Sequence, residues 1–158
     1  MSVRSMLFAA ALMLSACTPT PPPPPAQADV EKFVQDYVAA FNAGDDAKLM
    51  GLIQHDAGVS SIASGKLYRG WDAIRVASNE SLTAVADVRV ALKGIDVTPL
   101  GPDSALAVAS MVVTADRFPP AGAGKLISED FPGALTMIVK RTPDGLRLIH
   151  EHHSVRTR

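Results

Sequence analysis

The chain is 158 residues long, and once the first 28 are set aside about 130 remain, the usual size of one domain, so a two-domain reading is excluded. Hydrophobic residues make up 47% and charged ones 20%, enough apolar side chain to close a core and too much for a disordered chain. Fifteen Lys and Arg stand against sixteen Asp and Glu, and a net charge of -1 supplies no field to hold nucleic acid or an anionic membrane surface.

Residues 1–16 read as an export signal: an early Arg4, the apolar run Met6 to Leu14, then the small residues Ser15 and Ala16. The run is far short of the ~20 residues a bilayer-spanning helix needs. Leu14-Ser15-Ala16-Cys17 resembles the lipobox of bacterial lipoproteins. That resemblance implies cleavage before Cys17 and acylation of it, hence a lipid bilayer as partner and the bacterial cell envelope as location. The alternative is plain secretory cleavage with an incidental Cys. Thr18, standing where Asp would retain such a protein in the inner membrane, resembles the pattern for the periplasmic side of an outer membrane in a Gram-negative cell. Two or more acyl chains anchor where one holds only marginally, because each buried CH₂ adds ~0.8 kcal/mol. Residues 17–28 then comprise the acylated Cys and a Pro-rich linker. Thr18 to Ala28 holds six of the twelve prolines and no charge, which predicts an extended spacer of ~3.1 Å per residue, roughly 30 Å in all, holding the domain of residues 29–158 off the membrane.

Asp29 is placed to cap a helix whose apolar positions Val30, Phe33, Val34, Tyr37, Val38 and Phe41 repeat with helical spacing, with Gly44 past its end. Asp45 or Asp46 caps a short second helix through Leu49, Leu52 and Ile53. Val59 to Ile62 and Leu67-Tyr68 read as a small hairpin turning at Ser64-Gly65, and a third helix runs from Trp71-Asp72 to about Leu82. From Val88 the period changes to two, giving strands Val88 to Val97, Ala105 to Asp116, Ala134 to Arg141 and Leu146 to Val155. In the first of these the apolar parity switches at Gly94, as a β-bulge that bends a sheet requires. The second is apolar on both parities, so one face should meet the helices and the other a second subunit. Helices followed by a meander make an α+β order. Phe118 to Gly133 is long and rich in breakers, and is expected to be a lid carrying Glu129 and Asp130.

Three stretches carry a family resemblance: Phe41-Asn42-Ala43-Gly44-Asp45, Tyr68 to Ile74, and Asp144 to Ser154. Together they are similar to the SnoaL-like branch of the nuclear transport factor 2-like superfamily, over nearly all of Asp29 to Ser154. The resemblance implies a cone of three N-terminal helices packed on a strongly curved, mostly antiparallel sheet. It also implies an internal pocket and a homodimer formed through the outer face of the sheet. The superfamily includes isomerases, dehydratases, cyclases, epoxide hydrolases and non-catalytic members, so the fold fixes no reaction.

Strict alternation along the last strand puts Leu146, Leu148, His150, His152 and Ser154 on one face and Arg147, Ile149, Glu151, His153 and Val155 on the other. If the first face lines the cone, His150 and His152 are candidate acid-base groups, with Tyr37 or Asp130 as partner; the alternative is a structural role in hydrogen bonding. The alternating spacing of His150 and His152 would also suit a metal, with a third ligand among His55, Glu129, Asp130 or Glu80, but no second ligand cluster is visible and no metal is assigned. Tyr37 and Phe41 lie on the core stripe and are candidate ligand contacts, as is Trp71, which could instead staple the entry to the third helix. Asp36 lies on the polar side and is expected to be solvated. There is no Gly-rich phosphate motif, no Gly-X-Ser-X-Gly elbow and no Cys nucleophile in the mature domain, and no cofactor is implied. The leading expectation is a membrane-anchored, dimeric pocket domain that binds a small, largely apolar molecule. Its rivals are an acid-base enzyme of the isomerase, dehydratase or epoxide-hydrolase type using His150 or His152, and a pure dimerisation module whose cone is packed solid.

Overall fold

The computed structural model describes residues 22–63, 65–83, 87–117 and 127–156, and for residues 80–83 and 117 the backbone alone. The elements follow the order α1 (Gln27–Asn42), α2 (Asp46–Gly51), β1 (Ser60–Ala63), β2 (Lys66–Arg69), α3 (Trp71–Thr83), β3 (Asp87–Pro99), β4 (Ser104–Arg117), β5 (Ile127–Thr142) and β6 (Gly145–Val155). The strands form one six-stranded sheet in the order β2-β1-β6-β5-β4-β3. Every pairing is antiparallel except β1 with β6, which is parallel. This is an α+β architecture with an open sheet, as the helices-then-meander order predicts.

The α1 stripe behaves as its spacing dictates: Val30, Phe33, Val34, Tyr37 and Ala40 are buried. The helix nevertheless starts at Gln27, with Ala26 in the cap position and no side-chain cap, so Asp29 sits in the first turn. There its charge still complements the positive end of the helix. Gly44 adopts φ 64, the left-handed conformation that lets the chain leave the helix without a Cβ clash. Asp45 is the residue that caps α2, accepting from the Lys48 backbone N–H at 2.9 Å.

At the far end of α1 the Asn42 side chain acts as a short piece of strand. Its Nδ2 donates to the Val90 carbonyl and its Oδ1 accepts from the Val90 N–H, both at 2.8 Å. β3 is an edge strand, and this double bond both covers part of the edge and fixes α1 across it.

The core lies between the helices and one face of the sheet, where Met137, Leu148, Val30, Val34, Val59 and Val139 are fully buried. Each such side chain contributes about 1.5–3 kcal/mol relative to exposure. In β4 the odd positions Ala105, Ala107, Ala109, Met111 and Ala115 are buried, while Val108 on the opposite face is 39% exposed. The register of β3 on β4 shifts between Lys93 and Asp96, with Gly94 at φ 69, which is the bulge its parity switch announces.

Two expectations change. Of the stretch read as a lid, residues 127–133 belong to β5 and pair with β4, so that Asp130 is held in the strand, its Oδ1 accepting from Thr114 Oγ1 at 2.7 Å; residues 118–126 lie outside the described part. The β-branched Val112, Val113 and Thr114 on β4 give this arm a partner that the breaker count could not reveal. The Pro-rich segment, in turn, does not stay clear of the domain: Pro25 is buried, and the Pro23 carbonyl accepts from Arg141 Nη1 at 2.9 Å. Proline rings are themselves apolar surface, and the last of the run finds a place on the fold. The export signal and Cys17 lie outside the described residues. No described helix is long and apolar enough to cross a membrane.

Candidate functional site

The geometry of β6 decides which groups meet a ligand. Val139 pairs with Leu148, but Ile138 pairs with His150, so Ile149 is an extra residue and the parity of the strand inverts there. Leu148 faces the core; beyond the bulge Glu151, His153 and Val155 take the inner face. His150 and His152 are thereby turned to the outer face, level with Ile138 and Thr136 on β5 and with Ser60 and Ile62 on β1. His150 Nδ1 is hydrogen-bonded to Ser60 Oγ at 2.9 Å, and His152 is exposed. The expectation that His150 and His152 line the cone is therefore corrected. A bulge without a glycine leaves no mark that strict alternation would notice, although the apolar parity does change between Leu148 and Val155.

Between α1, α3 and the inner face of the sheet lies a cavity of about 290 Å³. All six strands contribute to its wall, and most of the lining is aliphatic or aromatic: Val38, Phe41, Tyr68, Ile74, Val90 and Leu135 among others. Tyr37 and Phe41 both line it, as their helix positions suggested. Trp71 does not. Its indole Nε1 donates to the Met50 carbonyl at 3.1 Å and its ring packs on His55 with centroids 4.3 Å apart, in a separate surface cleft of about 630 Å³. That arrangement pins the start of α3 to α2, which is the stapling role.

One polar cluster interrupts the apolar wall. Tyr37 Oη donates to Glu151 Oε2 at 2.8 Å, and Ser61 Oγ donates to Glu151 Oε1 at 2.7 Å. Tyr37 is 8% exposed, Ser61 4% and Glu151 6%. Ser61 and Glu151 are register partners across the parallel β1–β6 pair, so the sheet itself sets that contact, while Tyr37 reaches over from the helix. Burying a carboxylate costs on the order of several kcal/mol, and two hydroxyl donors, one on each oxygen, offset part of it. Burial pushes the Tyr37 phenol well above its ordinary range, and the adjacent Glu151 charge pushes it further in the same direction. Tyr37 thus stays a phenol and keeps donating its hydrogen bond to Glu151. His153 lines the same cavity two positions along the strand, and Ser78 lines it from α3 with a buried hydroxyl that has no hydrogen-bond partner among the described residues.

Sequence reasoning missed Glu151, His153 and Ser61. The available signal was the presence of one carboxylate, Glu151, in a strand otherwise flanked by core residues. Among the described residues no group of three or more His, Cys, Asp or Glu is arranged to hold a metal.

Helices over one face of a mostly antiparallel open sheet, with a ligand-sized hollow between, define the nuclear transport factor 2-like class. Within that class, residues 30–157 match the model of the SnoaL-like domain, and the chain belongs to that family. A comparison with curated proteins returns no match. Among solved structures, a proposed dehydratase of the same superfamily from Streptomyces avermitilis is similar at 22% identity and TM-score 0.71, over 83% of this chain and 96% of that one. A superfamily protein from Salmonella enterica is similar at 18% identity and TM-score 0.70, over 83% and 91%. A proposed scytalone dehydratase from Novosphingobium aromaticivorans is similar at 11% identity and TM-score 0.69, over 82% and 83%. At these identities the likeness concerns the fold.

Proposed function

We propose that the domain binds a small, largely apolar molecule in the cavity between α1, α3 and the sheet, that an acylated Cys17 tethers it to the bacterial envelope, and that it acts as a homodimer. The observation that carries the binding reading is the cavity of about 290 Å³, apolar except for the buried Glu151 cluster and its polar neighbours. An apolar hollow with a few convergent polar groups is the usual form of a ligand site. It also speaks against a cone packed solid for dimerisation alone. The dimer is supported by the outer face of the sheet, where Val108 is 39% exposed beside the half-buried Leu106, Val112 and Ile138. The tether rests on the Leu14-Ser15-Ala16-Cys17 sequence.

Native mass spectrometry of the mature chain, extracted gently in detergent from its source membranes, tests all three parts at once. The expected result is a dimer carrying acyl mass at Cys17 and a retained small molecule. A monomer, an unmodified Cys17 and an empty chain would each remove the corresponding part. Cys17→Ser should release the protein from the membrane fraction.

A second reading, acid-base catalysis, is favoured by one specific placement: Glu151 and His153 share the inner face of β6 and the cavity that Tyr37 also lines. In it Glu151 or His153, rather than His150 or His152, takes the proton, and the Tyr37 hydroxyl holds the Glu151 carboxylate in place. The dehydratase names among the structural neighbours put such chemistry on this fold. Turnover of a candidate substrate that survives both Glu151→Gln and His153→Gln unchanged would sink it.

A further inference from the structure

The Glu151 carboxylate is held but not neutralised. Its two oxygens accept from Tyr37 Oη and Ser61 Oγ, both uncharged donors, and among the described residues it makes no ion pair. A carboxylate offers about four acceptor positions, so roughly two remain unused. They belong to a group only 6% exposed that lines an apolar cavity. A buried charge without a counter-ion is costly, and the fold tolerates it here beside space for a second molecule.

We infer that the ligand of this cavity is a small apolar amine, bound as its ammonium ion, with the charged nitrogen on Glu151 and the hydrocarbon body against Phe41, Val90 and Leu135. The inference rests on the binding reading above and names the chemical class of its ligand. An ammonium carries several donors and no acceptor, which matches the unused positions on Glu151, and the Ser78 hydroxyl, without a partner among the described residues, lines the same cavity. A carboxylic acid is disfavoured by the like charge of Glu151, and a plain hydrocarbon leaves that charge unmatched. Because Tyr37 stays protonated, it holds the carboxylate in place without competing as a second anion.

The test is isothermal titration of the full chain at pH 7 with two isomers of equal size, benzylamine, which is charged, and 4-methylaniline, which is neutral, alongside benzyl alcohol. The expected result is benzylamine binding at least about tenfold tighter than either neutral compound, equivalent to about 1.4 kcal/mol. That preference should vanish in Glu151→Gln. If Gln at this position prevents folding, the isomer comparison in the unaltered chain decides alone. Equal or weaker binding of benzylamine overturns the amine inference and leaves the pocket reading standing. Failure of all three compounds, extended through their two- and three-carbon homologues, to bind at all overturns both.

Discussion

Tyr37 on the first helix and Glu151 on the last strand, 114 positions apart in sequence, share a buried hydrogen bond of 2.8 Å. It is the contact through which the helical layer and the sheet agree on the position of the one carboxylate in the cavity wall. Because the acceptor is a charge, the bond is worth more than a neutral one, and its loss leaves an under-satisfied anion in an apolar place.

Tyr37→Phe should therefore destabilise the domain by about 1–3 kcal/mol, measured as a lowered urea midpoint at unchanged slope. Ser61→Ala should cost a similar amount. The two losses should not add, because both donors serve the same carboxylate, and a double-mutant cycle would show coupling. Additive losses would mean that Glu151 is satisfied elsewhere.

Stability should also decline in alkali. The Tyr37 phenol is raised from its ordinary value of 10.0, with burial the larger cause and Glu151 the smaller. A raised native value means the folded state holds its proton longer than the unfolded one. Its contribution is therefore complete below pH 10 and is lost as the pH climbs from there toward the native value. Tyr37→Phe should flatten that part of the stability-pH curve, followed by urea unfolding at stepped pH. An unchanged curve in the variant would show that Tyr37 is not the group responsible.

The inverted parity of β6 separates neighbouring histidines by face. Once a ligand is in hand, His152→Gln should leave its affinity within about twofold, a change of about 0.4 kcal/mol, whereas His153→Gln should alter it by more. Titration calorimetry on both variants is the check. The opposite ranking would place the bulge wrongly.

Much of this was readable from the residues. The α1 stripe and the Gly94 bulge state their roles through spacing and backbone demands that hold in any context. The second bulge was not readable, since Ile149 carries no glycine and its extra place arises only from how β5 and β6 align. One inserted residue was enough to exchange His150 and His152 for Glu151 and His153 in the site. Likewise, β5 before Ala134 looks like a loop by composition, and only its pairing with Met111 to Arg117 makes it strand. Local pattern reports local physics; register is a property of two chains' segments together.

Gly133→Ala should be destabilising despite its small size. A Cβ there would meet the Ser154 backbone carbonyl, as well as Met111 Cε at 3.0 Å and Val155 Cγ1 at 3.1 Å. Side chains can yield but the β6 backbone cannot without weakening its pairing, so a loss of about 1–3 kcal/mol is expected in urea unfolding. A neutral effect would mean that β5 and β6 are looser here than their register indicates.

β6, the last of these strands in chain order, is not at the rim of the sheet but between β1 and β5. Until Gly145–Val155 has been made, the β1–β2 hairpin has no neighbour to join it to the meander, and the carboxylate of the cavity does not yet exist. Assembly must then wait for the whole chain, with a large share of its pairings spanning long sequence distances, which slows such folds. A polypeptide that cannot finish its sheet early stays open until that strand has been made.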